Sequence, residues 1–399
     1  MKKETSLTIV GKNTKTQSGT VNPPIHQTST ILFPTLSAYA DAERGKAFYD
    51  EHKSGYTLDR SYAIGGTPTS FALQEALCEL EGGDACVLTP SGLSAITSTL
   101  FCCLSAGDHM LVVDTIYGPT RRFCTKDLKR FGVEVTYYDP AIGSEISDLI
   151  QDNTKVIFLE TPGSLTFELQ DIPAIVAEAK KHDIITIADN SWATPLFYNP
   201  LDHGVDICIH AVTKYIAGHS DVIMGAVITK GKTSTQKILK GWHTMGQSCS
   251  PHDCYAALRG LRSLSVRMRQ HQESAMKIAD WLTSQKEVTT LLYPPHPASP
   301  GHKLWKRDFS GGASLISIIL DKTYSQESLA SFIDNLKLFG IGASWGGFES
   351  LAIVFNPAAI RTATKWNTNS TCLRFYIGLE NADDLIADLS GGFARLRSV

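Results

Sequence analysis

By its apolar positions alone, the chain divides into three textures. Residues 1 to about 60 show little sustained periodicity: polar turns, the Pro23-Pro24 pair and a Gly/Tyr/Arg-rich stretch over 53–66. A segment of this kind cannot hold a core of its own and is expected to lie on something else, a neighbouring subunit being the expected support. From Ala85, short apolar runs bounded by turn residues alternate with stretches long enough for helices. The runs are 85–88, 109–114, 133–138, 155–160, 184–189, 206–212 and 222–229, with helices expected over 93–104, 120–131, 146–151 and 172–182. The alternation predicts an α/β fold: a mostly parallel seven-stranded sheet covered by helices, binding ligands where its strands end. Beyond Pro251 the pattern changes again. A long amphipathic stretch over 254–284 precedes a strand at 313–320, a helix at 326–338, a strand at 373–377 and a closing helix from Ala382. This is expected to be a smaller C-terminal α/β domain. The division predicted is therefore an arm over 1–60, a large domain over 61–253 and a small one over 254–399.

A length of 399 residues fits more than one domain, and no internal repeat is visible. Apolar residues make up 43% and charged residues 19%, with no apolar run of membrane length, which points to a soluble globular protein. A net charge of -3 supplies no basic field for nucleic acid or anionic lipid, so small-molecule chemistry is the better reading. Two N-terminal lysines are followed only by a brief apolar stretch over 7–10, too short for a signal peptide, and a cytoplasmic location is expected. The nine cysteines include no C-x-x-C pair and sit mostly in apolar surroundings, which suits buried thiols better than disulfides or zinc.

Several expected strands end in a reactive or polar group, and the ends of neighbouring strands converge in space. Run 85–88 leads into Thr89-Pro90-Ser91-Gly92-Leu93, a turn opening a helix whose free N–H groups suit a phosphate, although for this motif alone a helix cap at Ser91 is the favoured reading. Run 184–189 ends at Asp189, either a turn former or the carboxylate that keeps a basic ring nitrogen protonated. Run 206–212 delivers Thr213 and Lys214 between apolar flanks. Most lysines solvate a surface, but an amine held here is depressed in pKa and available as a neutral nucleophile. Thr213 offers a hydroxyl to a phosphate. Tyr117 offers a ring to a flat cofactor, or is simply a core aromatic. Arg374, inside an apolar strand, requires an anion: a substrate carboxylate or a structural partner.

The stretch 206–220 resembles the lysine signature of the Cys/Met-metabolism family of pyridoxal phosphate enzymes, of the aspartate aminotransferase fold type. The likeness extends through Tyr62, Gly66-Thr67-Pro68-Thr69, Glu79-Leu80-Glu81-Gly82-Gly83, Ser91-Gly92-Leu93, Asp114-Thr115-Ile116-Tyr117, Glu160-Thr161-Pro162, Ala188-Asp189-Asn190, Arg259-Gly260-Leu261-Arg262 and Ile377-Gly378-Leu379-Glu380, all in family order. The resemblance implies pyridoxal 5'-phosphate as cofactor, with Lys214 its covalent anchor and Asp189 paired with the pyridine nitrogen. It also implies Tyr117 stacked on the ring, Gly92, Leu93 and Thr213 at the phosphate, and Arg374 on the substrate carboxylate. A homotetramer follows from the same likeness, with Tyr62 reaching the phosphate from a neighbouring subunit. Ser344, Trp345, Tyr62 and Tyr255 are expected at the substrate. The family's usual Tyr-x-Arg is broken here, because Tyr62 is followed by Ala63-Ile64; Arg60 is the candidate replacement.

Ser344-Trp345-Gly346-Gly347-Phe348-Glu349-Ser350 resembles the β-lyase branch of the family, in which a tryptophan follows the serine. Met245-Gly246-Gln247 and the block 302–309 agree with that branch. The activity implied is β-elimination from L-cystathionine, with Lys214 moving the Cα proton and Tyr117, tuned by nearby cations, a candidate acceptor of a proton from the incoming amine. A γ-lyase or γ-synthase of the same family is the near alternative. A Rossmann dehydrogenase would need G-x-G-x-x-G at the first strand-to-helix turn, which Ser91-Gly92-Leu93-Ser94 does not supply. A cofactor-binding regulator without turnover is disfavoured by the set Lys214, Asp189, Tyr117 and Arg374.

Overall fold

The computed structural model describes residues 1–12, 19–43 and 61–398. Each of the seven apolar runs of the middle region is a strand: β1 (Ala85–Thr89), β2 (His109–Val113), β3 (Glu134–Tyr138), β4 (Thr154–Glu160), β5 (Ile185–Asp189), β6 (Ile207–Ala211) and β7 (Gly225–Thr229). They form one sheet in the order β1-β7-β6-β5-β4-β2-β3. The pairs β2/β3, β2/β4, β4/β5 and β5/β6 are parallel. Only β7 runs against the rest, antiparallel to both β6 and β1. It follows that β1, β2, β4, β5 and β6 all finish at the same edge. β1, β2 and β7 are buried at every residue, as a sheet covered on both faces requires of its continuous apolar runs. Helices Pro68–Glu81, Gly92–Cys103 and Ile172–Lys181 supply part of the cover.

A second sheet, β10-β11-β12-β9-β8, is built from β8 (Val288–Leu292), β9 (Leu315–Leu320), β10 (Phe339–Ile341), β11 (Ser350–Phe355) and β12 (Cys372–Tyr376). The helix Pro251–Thr283 joins the two halves. Its Leu258, Leu261 and Met268 belong to the core of the large sheet, whereas Ala275, Ile278 and Leu282 pack with Phe332, Phe375 and Phe393 of the smaller one. A segment between β11 and β12 reaches back to the large sheet. There the N–H groups of Thr362, Ala363 and Thr364 donate to the Asp114 carboxylate at 2.9–3.0 Å, and Arg361 pairs with Glu168.

Several expectations need correction. Within the irregular opening, Lys3–Ile9 and Leu36–Glu43 are helical. Leu7 is buried against its own chain, and Arg262 Nη1 donates to the Leu7 carbonyl at 2.9 Å, so this part of the arm rests on the helix Pro251–Thr283. Over 120–131, a helix that starts at Gly118 with Pro119 in its first turn passes into a wider π-helical turn at Phe123–Leu128. Residues 146–151 contribute to a 3-10 helix, Gly143–Leu149, and the helix expected over 326–338 stops at Ile333. Among the described residues, no helix is long and apolar enough to cross a membrane.

Candidate active site

The strand ends of the large sheet and the face of the small sheet enclose a cavity of about 440 Å³. β6 hands the chain to Thr213 and Lys214; β5 ends in Asp189; β4 ends in Glu160; β12 contributes Arg374. Parallel pairing accounts for the convergence, because strands that run together deliver their last residues to one place.

Lys214 Nζ donates to Ser344 Oγ at 2.7 Å and lies 5.2 Å from the centre of the Trp345 ring. The close approach of this loop depends on Gly346, at φ +93°, where a Cβ would stand 2.7 Å from the Lys214 Cα. Burial, reinforced by the Arg374 cation and opposed by Asp189, lowers the Lys214 amine to about 8. Arg374 Nη1 donates to the Ala343 carbonyl, and its Nη2 donates to those of Gly342 and Ser344, all at 3.1–3.2 Å. No carboxylate reaches it among the described residues, its Nε has no partner, and burial lowers its pKa to about 10. A guanidinium desolvated in this way requires an anion.

Asp189 Oδ1 accepts the Ser191 N–H at 2.9 Å, and burial raises its carboxyl against the pull of that contact. Behind it, Asn190 Nδ2 donates to Glu81 Oε1 at 2.9 Å, and His210 Nε2 lies 2.6 Å from the same oxygen. Glu81, His210 and Cys208 form a buried cluster of metal-ligating types that the sequence reading does not single out, already internally hydrogen-bonded. Also lining the cavity, Gly92 and Leu93 open the helix Gly92–Cys103, where first-turn N–H groups have no intrahelical acceptor. Ser91 is the cap, its hydroxyl taking the Ser94 N–H, so the two readings of this turn coexist. A Cβ at Gly92 would stand 2.7 Å from that of Ala211, which keeps the turn tight against β6.

Tyr117 lines the cavity with its ring 44% exposed. Burial, Glu160 and Asp189 raise its phenol, and Arg122 opposes them. The Thr213 hydroxyl donates to the Met224 carbonyl at 3.1 Å and accepts the Met224 N–H at 3.0 Å, so its proton is already engaged. Tyr62 is 51% exposed, bridged to Thr30, and lies off the cavity wall. Tyr255 is also absent from the wall: it is half-buried at the start of the helix Pro251–Thr283, whose phase turns Cys254, Ala257 and Leu258 into the core. Arg60 lies outside the described residues. Ser164 and Ser191 are cavity residues missed by sequence reasoning, and Glu160 is a third whose likeness to the family carried no role. Glu160 had a signal: it closes its apolar run as Asp189 closes the next.

This donor set fits an aldehyde cofactor with a phosphate and a basic ring nitrogen: a depressed amine, an uncompensated carboxyl facing it and a helix N-terminus beyond. Fold and site together define a pyridoxal phosphate enzyme. The chain matches the family of Cys/Met metabolism PLP-dependent enzymes over residues 4–394 and belongs to it. It is 44% identical over 397 residues, 99% of this chain and 98% of the other, to an L-alanine/L-glutamate racemase of Wolbachia pipientis wMel. It is 41% identical over 400 residues, 99% of each protein, to a cystathionine beta-lyase of Escherichia coli strain K12. The solved structure of cystathionine gamma synthase from Xanthomonas oryzae pv. oryzae, in complex with aminoacrylate and cysteine, matches with a TM-score of 0.87 at 32% identity, covering 100% of this chain and 99% of that one.

Proposed function

We propose that this protein is a carbon–sulfur lyase that, with one water, converts L-cystathionine to homocysteine, pyruvate and ammonia, serving methionine biosynthesis. The observation that carries the reading is Trp345, whose ring lines the cavity 5.2 Å from the Lys214 amine, where its bulk would narrow the space left for the substrate. Relatives named cystathionine beta-lyase, 40–41% identical along nearly their whole length, support it.

In this reading Lys214 holds the cofactor covalently, Asp189 faces the ring nitrogen, Tyr117 stacks on the ring, and the N–H groups of Gly92 and Leu93 bind the phosphate, with Thr213 beside them. When bound, the cofactor supplies the electron sink that lets the Cα–H and C–S bonds break. Arg374 clamps the α-carboxylate of the substrate and so fixes the Cα proton toward Lys214. The substrate amine would take the place of Lys214 on the cofactor, and the Lys214 amine so freed takes that proton and returns one to the departing sulfur, while Ser344 holds the amine in line. Tyr117 stands at the ring as a platform and as the candidate acceptor of a proton from the incoming amine, the raising of its phenol by burial, Glu160 and Asp189 weighing against the second role. Tyr62 and Arg60 act from a neighbouring subunit of a homotetramer in the cytoplasm. The exposure of Ile223 on the cavity wall, 70%, supports a partner at this rim. The solution mass would check the assembly.

Incubation with L-cystathionine and added pyridoxal phosphate tests the function. Pyruvate is expected; 2-oxobutyrate in its place would mean γ-elimination. The racemase relative supports a second reading, in which Lys214 removes the Cα proton and a second cavity acid such as Tyr117 returns one to the other face. Interconversion of alanine or glutamate enantiomers without pyruvate release would favour it.

A further inference from the structure

Glu160 and Asp189 occupy matching places in the sheet. β4 and β5 are parallel and in register, with Glu160 directly opposite Asp189, so both side chains emerge on the same face and both reach the cavity. Neither is in an ion pair with a lysine or arginine among the described residues. Glu160 is 8% exposed and both its oxygens are committed: Oε2 accepts the Tyr117 N–H at 2.8 Å, and Oε1 contacts the Ser164 hydroxyl at 2.5 Å.

We propose that Glu160 is a positioning residue that stays protonated beside Asp189, so that the pair carries a single negative charge on Asp189 while the Glu160 carboxyl fixes the turn that presents Tyr117. The inference rests on the pyridoxal phosphate reading of the site, and not on which reaction the enzyme performs. Two carboxyls set opposite each other on neighbouring strands, and both raised by desolvation, do not readily both ionise near neutral pH, so the pair retains one proton. Asp189 has the stronger claim to the charge. Lys214 and His210 both favour its ionised form, and a protonated ring nitrogen would add to them. Burial comes first in raising Glu160, followed by the Asp189 charge; with Ser164 and Tyr117 opposing, its carboxyl reaches about 8. The other charged groups of the cavity, Lys214 and Arg374, lie on β6's exit and on β12, and Arg122 follows the Tyr117 turn. As a neutral acid Glu160 still accepts the Tyr117 N–H, which is all that positioning requires.

Infrared difference spectra of the full-length enzyme, loaded with pyridoxal phosphate, test the protonation. The carbonyl stretch of an un-ionised carboxylic acid should be present near neutral pH, disappear on alkaline titration and be absent from Glu160→Gln. The same band surviving in Glu160→Gln, or no such band in the wild type, would overturn the assignment. Kinetics test positioning separately. Glu160→Gln, which keeps an acceptor for the Tyr117 N–H, should hold kcat within about threefold, whereas Glu160→Ala, which leaves that N–H unsatisfied, should lower kcat roughly tenfold or more with a smaller change in KM. Equal losses in the two variants would overturn the positioning role. Pyruvate and racemisation assays on the same wild-type sample report independently on the reaction.

Discussion

Two aspartates stand at comparable places in the large sheet. Asp114 follows the last residue of β2, and Asp189 is the last residue of β5. Asp114 is fully buried, pairs with Arg121 at 2.5 Å and accepts the N–H groups of Thr362, Ala363 and Thr364. Burial alone would raise its carboxyl, but these hydrogen bonds outweigh it and the net shift is downward. Asp189 takes the Ser191 N–H and is raised instead. One carboxylate is satisfied by its own protein, and the other is left short. The same contrast separates Arg121, paired with Asp114, from Arg374, which has only carbonyl oxygens. Groups that complete each other hold the two halves of the molecule together, whereas groups left incomplete around one cavity mark what it binds.

The comparison breaks most visibly at Lys214. Lys214→Ala should abolish the yellow absorbance of the anchored cofactor and lower turnover by a factor of roughly 1,000 or more. Full turnover with the absorbance retained would remove the central assignment. At Arg374 the contrast becomes a difference in kind. Arg374→Ala should lower kcat/KM roughly 100-fold if, as proposed, its fork of donors holds the substrate carboxylate. It should leave the melting temperature unchanged or raised, because a buried cation without a counter-charge is removed.

Asp114→Asn should do the opposite, costing about 2 kcal/mol of stability with a modest effect on turnover. The sign of its pH dependence follows from the lowered carboxyl. Its contribution is complete above the ordinary carboxylate range, about pH 4, and is lost as pH falls through the folded value. The melting temperature of the wild type should therefore fall more steeply in acid than that of Asp114→Asn. Parallel slopes would show that Asp114 is not the clamp described.

How much of this was legible in the sequence depends on whether a property is local. The seven strands of the large sheet were readable because strands buried on both faces are written as unbroken apolar runs. Lys214, Asp189 and Arg374 were readable because each interrupts or closes such a run. The strands β8, β10 and β11 of the smaller sheet were missed: β10 has three residues, and β8, with the pattern Val-Thr-Thr-Leu-Leu, is only partly buried. Contacts made across the chain leave no local mark. Nothing near Asp114 announces Thr362–Thr364, some 250 residues away, and nothing in Thr213 shows that Met224 already holds its hydroxyl. The place of Glu160 beside Asp189 depends on register, which only the folded sheet fixes.

The smallest expected effect concerns the timing of cofactor capture. Lys214 is incomplete in a particular way: burial and Arg374 lower its amine to about 8, against the attraction of Asp189. Only the neutral amine attacks an aldehyde, so the reactive fraction rises as pH passes upward through that value. Between pH 7 and pH 9 it grows about tenfold, and beyond pH 9 it changes little. The initial rate at which stripped enzyme gains absorbance on mixing with pyridoxal phosphate should follow that curve. Arg374→Ala should shift the curve to higher pH, because one of the two causes of the lowered amine is gone, whereas Asp189→Asn should shift it to lower pH, because the opposing attraction is lost. A rate that instead climbs steadily to pH 10, as for an ordinary solvated lysine, would mean that the incomplete charges around the cavity do not act on Lys214, and the contrast with Asp114 would lose its functional half.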